Sequence, residues 1–141
     1  MTRPAIRSLR AWRDLGEAAV RLALARYRLQ TTPAARLIGA LRQPYLPPPG
    51  GSADTQVRAE QMAWALAAAA RRVPWRSDCF VQCLAADTWM RARGLRPEFH
   101  LGVAKTPDGH LKAHAWIKYG DAIVAGGSAD GYEVLIAPEA E

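Results

Sequence analysis

The sequence predicts an α+β fold in which helices come first and an antiparallel sheet follows. Over the first two thirds of the chain, apolar residues recur at helical spacing. After that, Phe99, Leu101 and Val103 alternate with other residues, which is the period of a strand. Turn signals at residues 106–109 and 120–121 divide the last third into short strands.

The helical part is predicted to hold four helices. In the first, residues 5–30, an apolar stripe is formed by Trp12, Leu15, Ala19 and Leu22. Thr32 is the expected N-cap of a second, short helix, with Pro33 as its first residue and Arg42 near its end. The third helix is predicted at 54–72, and the fourth follows Ser77 or Asp78 as N-cap and ends before Gly94.

Strands are predicted at residues 99–103, at 113–119, from 123 onward and at 132–136. The stretch 43–52 contains four prolines and two glycines, so it is interpreted as a linker. The predicted organisation is a helical arm at 1–42, this linker, and a core at 53–141.

Charge and composition limit the class of protein. The chain has 141 residues, half of them hydrophobic, which is enough for one folded core. Residues 1–50 hold nine arginines and two acids, so the net charge of +6 belongs to the arm. That face could meet an acidic protein, a nucleic acid or an anionic membrane, or could simply be solvated. Aromatic residues are not interleaved there, which argues against nucleic-acid binding.

The sequence shows no signal peptide and no charge-free stretch of transmembrane length. The expected location is therefore cytoplasmic, with reduced thiols and no stable membrane insertion.

Cys79 is the strongest candidate for chemistry. It falls in the first turn of the fourth helix, where unpaired N–H groups and the helix dipole stabilise an anion. The same N–H groups could bind the oxyanion of a tetrahedral intermediate. Cys83, one turn deeper among apolar residues, is expected to be buried and inert. The alternative for Cys79 is a small buried hydrophobe without chemistry.

The histidine that could serve as a base is His114, which small residues and Trp116 flank. His100 is expected to be at least partly exposed, and His110 lies at a turn. A structural role for His114 remains open. A zinc site is disfavoured because the i, i+4 cysteines do not fit the common Cys-x₂-Cys spacing, and no metal or cofactor is expected.

The stretches PWRSDCFVQCLAADTWMRARG, LGV at 101–103 and AHAW at 113–116 resemble the leader peptidases of lasso-peptide biosynthesis, which are transglutaminase-like cysteine proteases. The resemblance runs from about Trp12 to Leu135. It implies a papain-like core with the nucleophile, Cys79, at a helix N-terminus packed on an antiparallel sheet, and His114 as the base. Within the matching stretch, Trp75 and Asp78 are assigned to oxyanion or substrate positioning.

The resemblance also implies partners. The substrate would be a ribosomally made, post-translationally modified lasso precursor, held by a stand-alone leader-recognition protein. A separate ATP-dependent cyclase would close the ring after the leader is removed.

The chain departs from this family's pattern at the third catalytic position. An aspartate usually follows the histidine by about a dozen residues, but the corresponding stretch, 124–127, has no acid. Asp121 lies at a turn too far from the histidine's level at about 3.3 Å per residue. Asp130 follows a glycine-rich segment that could fold back, so it is the predicted third residue, with a backbone carbonyl near Gly126 as the alternative.

The sequence thus predicts a cysteine peptidase that removes a leader peptide. A peptide-binding module that has lost the chemistry and a Cys–His acyltransferase are the alternatives.

Overall fold

A computed structural model describes residues 8–43, 53–75 and 77–138. The predicted helix start at residues 5–7, the body of the linker at 44–52, Arg76 and the acidic tail from 139 lie outside the described residues.

The fold is α+β, with four helices followed by a four-stranded antiparallel sheet, as the sequence predicts. The helices are α1 (Leu9–Thr31), α2 (Ala34–Leu41), α3 (Ala53–Ala70) and α4 (Cys79–Ala92), and the strands are β1 (Glu98–Lys105), β2 (Leu111–Tyr119), β3 (Ala122–Ala125) and β4 (Glu133–Ile136).

The predicted cap between α1 and α2 is wrong by one residue. Thr32 is extended and closes α1, its N–H donating to the carbonyl of Arg28 at 2.9 Å. Pro33 is therefore the N-cap of α2, without a side-chain hydrogen bond, and the helix begins at Ala34.

The predicted apolar stripe of α1 is only partly correct, because Leu22 is fully buried and Leu15 and Ala19 are partly buried. Trp12 is 59% exposed, and the residues that α1 buries are Ala11, Asp14, Ala18, Leu22 and Ala25. Asp14 turns inward because Arg58 of α3 donates to both of its carboxylate oxygens, at 2.8 and 3.0 Å. The ion pair and the small alanines bring the helices close together and leave the indole outside.

The sheet has the order β3-β2-β1-β4, with every pair antiparallel. Across β1 and β2, Gly102 lies opposite His114, and His100 lies opposite Trp116. Since side chains alternate between the faces of a strand, His100, His114 and Trp116 share one face.

The other face of the sheet joins the core. Phe99, Ala115 and Ile117 are buried there, in one cluster with residues of all four helices. The largest fully buried side chains of that cluster come from the helices and the inner sheet face: Trp89, Leu22, Leu37, Met62, Leu66, Leu84, Met90 and Ile117.

Candidate active site

Cys79 is the first residue of α4 and is partly exposed. Asp78 is its N-cap: the carboxylate accepts from the N–H of Val81 at 3.1 Å, and the Asp78 carbonyl accepts from Gln82 at 3.0 Å. Within the described chain, the N–H groups of Cys79 and Phe80 make no hydrogen bond. Two free donors therefore lie beside the thiol, which is the arrangement that binds an anion at a helix start.

Cys83 is fully buried, and burial raises the pKa of its thiol well above the usual range. Nearby Cys79 and Asp87 act in the same direction. Cys83 thus stays protonated at neutral pH, in agreement with its predicted inertness.

The segment before α4 is tied to the helix that it introduces. Gln82 donates from its amide nitrogen to the carbonyl of Ser77 at 3.0 Å. Trp75 packs against the core cluster, while its indole N–H and the hydroxyl of Ser77 are buried without a hydrogen-bond partner. Asp78 acts as a helix cap here, and its assignment to substrate positioning stays a prediction.

His114 is half-buried and sits among aromatic rings. Its ring centroid lies 4.8 Å from that of Tyr132 and 5.7 Å from that of Trp116. His100 stacks in parallel on the Trp116 indole at 5.4 Å. Nε2 of His114 is buried and has no hydrogen-bond partner among the described residues. A buried nitrogen cannot meet a substrate, so Nδ1 is the nitrogen available to exchange a proton.

Gly102, directly across from His114, makes this packing possible. A Cβ at that position would lie 3.0 Å from the Tyr132 Cβ and from the Glu133 carbonyl oxygen, and 3.1 Å from the Trp116 ring. Any larger residue would push the two aromatic side chains away from the histidine. Gly102 therefore shapes the pocket that holds the imidazole.

The chain topology places the start of α4 toward the end of the sheet where β2 begins, while His114 lies near the middle of β2. The Tyr119 hydroxyl donates to Thr55 Oγ1 at 2.8 Å, so α3 begins at the far end of β2. Its eighteen residues extend about 27 Å before the chain turns into α4. In the reverse direction, α4 covers about 21 Å and leads into Glu98, which pairs with Lys118. The start of α4 is thus at the end where β2 begins.

The two side chains are not joined in this conformation. No hydrogen bond connects Cys79 with His114 within the described chain. His114 projects from the face opposite Ala115 and Ile117, which pack under the helices.

The residues considered for the third role lie as follows. Asp130 is exposed, and its backbone N–H donates to Ser128 Oγ at 3.2 Å. Asp121 is exposed at the β2–β3 turn. Among the described residues, neither carboxylate bonds to His114.

The alternative to an aspartate in the third role is a backbone carbonyl near Gly126. Ala125 pairs with Ile117, and Gly126 adopts a φ of 95° beside Ala115 and Trp116. A Cβ there would overlap the Ala115 carbonyl oxygen, so the close approach requires glycine. No carbonyl of this segment accepts a hydrogen bond from His114 in the described chain.

Within the described ranges, no three His, Cys, Asp or Glu side chains are placed to hold a metal ion together. No helix of that part is long and apolar enough to cross a membrane.

Tyr132 was not found from the sequence, and Gly102 was noted only as part of the LGV stretch, without a link to His114. Trp116 was named as a neighbour of His114 in sequence, but the stacking of the rings was not predicted. The His-x-Trp spacing at 114–116 does place both rings on one face. Only the β1–β2 register puts Gly102 opposite the histidine, and only the turn before β4 brings Tyr132 over it.

The fold is α+β, with a cysteine at a helix N-terminus and a histidine on an adjoining antiparallel sheet. Enzymes that use a Cys–His pair as nucleophile and base carry these two residue types. The model of the transglutaminase-like superfamily matches residues 18–137, so the chain belongs to that superfamily. The superfamily includes cysteine peptidases and acyltransferases. Comparisons with curated proteins and with solved structures gave no significant match.

Proposed function

We propose that this protein is a cysteine peptidase that removes the leader from a lasso-peptide precursor before a separate cyclase closes the ring. The observation that carries the proposal is Cys79 as the first residue of α4, beside two N–H groups that make no hydrogen bond within the described chain. Membership of the transglutaminase-like superfamily supports peptide chemistry. The motifs around Cys79 and His114 support the particular substrate.

The reaction follows from these groups. Nδ1 of His114 takes the thiol proton, and the Cys79 thiolate attacks the carbonyl carbon of the scissile bond. The N–H groups of Cys79 and Phe80 stabilise the resulting oxyanion. The C–N bond then breaks, and the imidazolium returns the proton to the leaving amine. Water, deprotonated by the same imidazole, hydrolyses the thioester and releases the leader.

The proposed partners are the precursor, a stand-alone leader-recognition protein and the ATP-dependent cyclase. The proposed compartment is the cytoplasm.

The alternative function is a peptide-binding module without chemistry, and one observation is compatible with it. Cys79 and His114 are not hydrogen-bonded in the described chain, and Nε2 of His114 is buried without an acceptor. Catalytic hydrogen bonds are often long in a free enzyme and tighten with substrate, so the separation agrees with either function.

Alkylation and cleavage decide between these functions. At neutral pH, iodoacetamide should label Cys79 well before Cys83, whose thiol is buried and protonated. Cys79→Ala should abolish precursor cleavage, and Cys83→Ala should retain it. A Cys79→Ala protein that still cleaves would contradict the proposal, and wild-type binding without cleavage would favour the module.

The product separates hydrolysis from acyl transfer. With an added primary amine, a peptidase still releases the free leader acid, whereas an acyltransferase forms the amide. Mass spectrometry of the leader fragment distinguishes the two products.

A further inference from the structure

A cavity of about 460 Å³ opens between α1, α3 and the segment 71–75. Its walls include the indoles of Trp12, Trp64 and Trp75, three of the five tryptophans in the chain. Small residues between the rings leave the space open: Gly16, Ala19 and Ala69. The volume falls within the range of about 300–1,000 Å³ that is usual for ligand pockets.

The lining suits an apolar group. Arg72 is the one charged residue of the wall, and its guanidinium already donates to the Ala68 carbonyl at 2.9 Å. The remaining walls are aliphatic or aromatic, so water inside would find few hydrogen-bond partners. An aromatic or branched aliphatic side chain would bury apolar surface there.

The cavity is also close in sequence to the candidate nucleophile, Cys79. Val73, Pro74 and Trp75 form its wall, and Trp75 precedes Cys79 by four residues. Four Cα–Cα steps of about 3.8 Å place the two Cα atoms no more than about 15 Å apart. An extended peptide covers that distance in about four or five residues. A peptide held at Cys79 can therefore place a nearby side chain in the cavity.

We propose that this cavity binds a bulky apolar side chain of the peptide that Cys79 cleaves, within about four residues of the scissile bond. The inference rests on the proposed function and adds a substrate requirement to it: an aromatic, leucine, isoleucine or methionine side chain at one position near the cut. Trp75 then contributes to specificity as a wall of this subsite.

Gly16→Leu tests the cavity without weakening the fold. No atom lies within 4 Å of a Cβ built on Gly16, and leucine favours a helix over glycine by about 1 kcal/mol. The new side chain occupies the cavity. Gly39→Leu in α2 is the matched control, because it has equal space and does not line the cavity.

With the precursor as substrate, Gly16→Leu should raise KM at least tenfold and leave kcat within about twofold, while Gly39→Leu changes neither. Alanine replacements of the precursor's apolar residues within four positions of the cut should include one that raises KM for the wild type. That replacement should have little further effect on Gly16→Leu, since coupled sites are not additive. An unchanged KM for Gly16→Leu, or the absence of any coupled position, would overturn the inference.

Binding to the inactive Cys79→Ala protein keeps this test separate from the test of the proposed function. Precursor binding is followed by calorimetry with Cys79→Ala alone and combined with Gly16→Leu. A loss of at least tenfold in affinity supports the cavity even if the wild type proves unable to cleave. Equal affinities, or no binding to either protein, exclude it. If Gly16→Leu instead weakens only the binding of a protein partner or of anionic vesicles, the cavity has another occupant and the inference fails.

Discussion

The imidazole of His114 is held by aromatic rings, and no described carboxylate reaches it. Tyr132 and Trp116 contact it on two sides, and Gly102 leaves the room that they need. A base histidine normally has its second nitrogen fixed by an acceptor, but Nε2 here is buried without one. Packing is therefore the observed means by which this ring is oriented.

We expect Tyr132→Leu to lower kcat of precursor cleavage roughly 10–100-fold, because a displaced base costs rate even when the substrate still binds. KM should change little. Tyr132→Phe keeps the ring contact and should retain the wild-type rate. Separate values of kcat and KM are the second readout, since a misplaced base lowers kcat without weakening substrate binding.

Asp130 stays a prediction, and Asp130→Asn tests it directly against Asp121→Asn. Full turnover of both variants alongside an inactive His114→Ala would agree with orientation by packing. A large loss in Asp130→Asn alone would return the role to that carboxylate and contradict the packing explanation.

Among the site residues, the sequence correctly predicted the features that depend on residues nearby in the chain. Cys79 at a helix start follows from Asp78 three residues before the Val81 N–H that it caps. The contacts of His114 depend on the register between β1 and β2 and on the position of Tyr132. Local sequence patterns predict neither of them.

Among the elements, α1 and α3 are joined by a buried ion pair. The Asp14 side chain is 8% exposed and that of Arg58 is 24% exposed. The Arg58 guanidinium also lies 5.7 Å from the centre of the Trp89 ring in α4. The same arginine thus connects three helices, and its charge depends on Asp14 for compensation.

Asp14→Asn should lower the free energy of unfolding by about 3 kcal/mol, because it leaves a largely buried guanidinium without its counter-ion. Urea denaturation with an unchanged m-value measures the loss. Glu17→Gln is the control on the same helix, since its contacts with Arg21 and Arg93 are more exposed and should contribute at most about 1 kcal/mol. Equal losses in the two variants would contradict a special role for the buried pair.

This ion pair also explains where the element-scale prediction failed. Helical spacing located α1 to within about four residues, yet the buried face is rotated from the predicted stripe and shares only Leu22 with it. A rule that places aspartate outside and tryptophan inside cannot foresee Asp14, whose partner is 44 positions away.

On the whole molecule, the outer side of α1 is both apolar and basic. Apart from Trp12, which lines the cavity, its large apolar side chains are between 54% and 69% exposed and lie opposite the buried alanines: Leu9, Val20, Leu24 and Tyr27. Arg10 and Arg13 are exposed on the same helix and form no ion pair with another described residue. An exposed apolar stripe of this length is typical of a protein-binding surface.

We expect this surface to bind one of the proposed partners, the leader-recognition protein or the cyclase. Arg10→Gln with Arg13→Gln should weaken association and reduce its dependence on salt, because exposed charges act through screened electrostatics. Leu24→Ser should weaken association with the salt dependence unchanged, since it removes apolar contact alone. Arg36→Gln in α2 with Arg42→Gln at its C-cap is the charge-matched control. Calorimetry at two salt concentrations measures all three, and an affinity that none of the variants alters would show that the outer side of α1 binds neither partner.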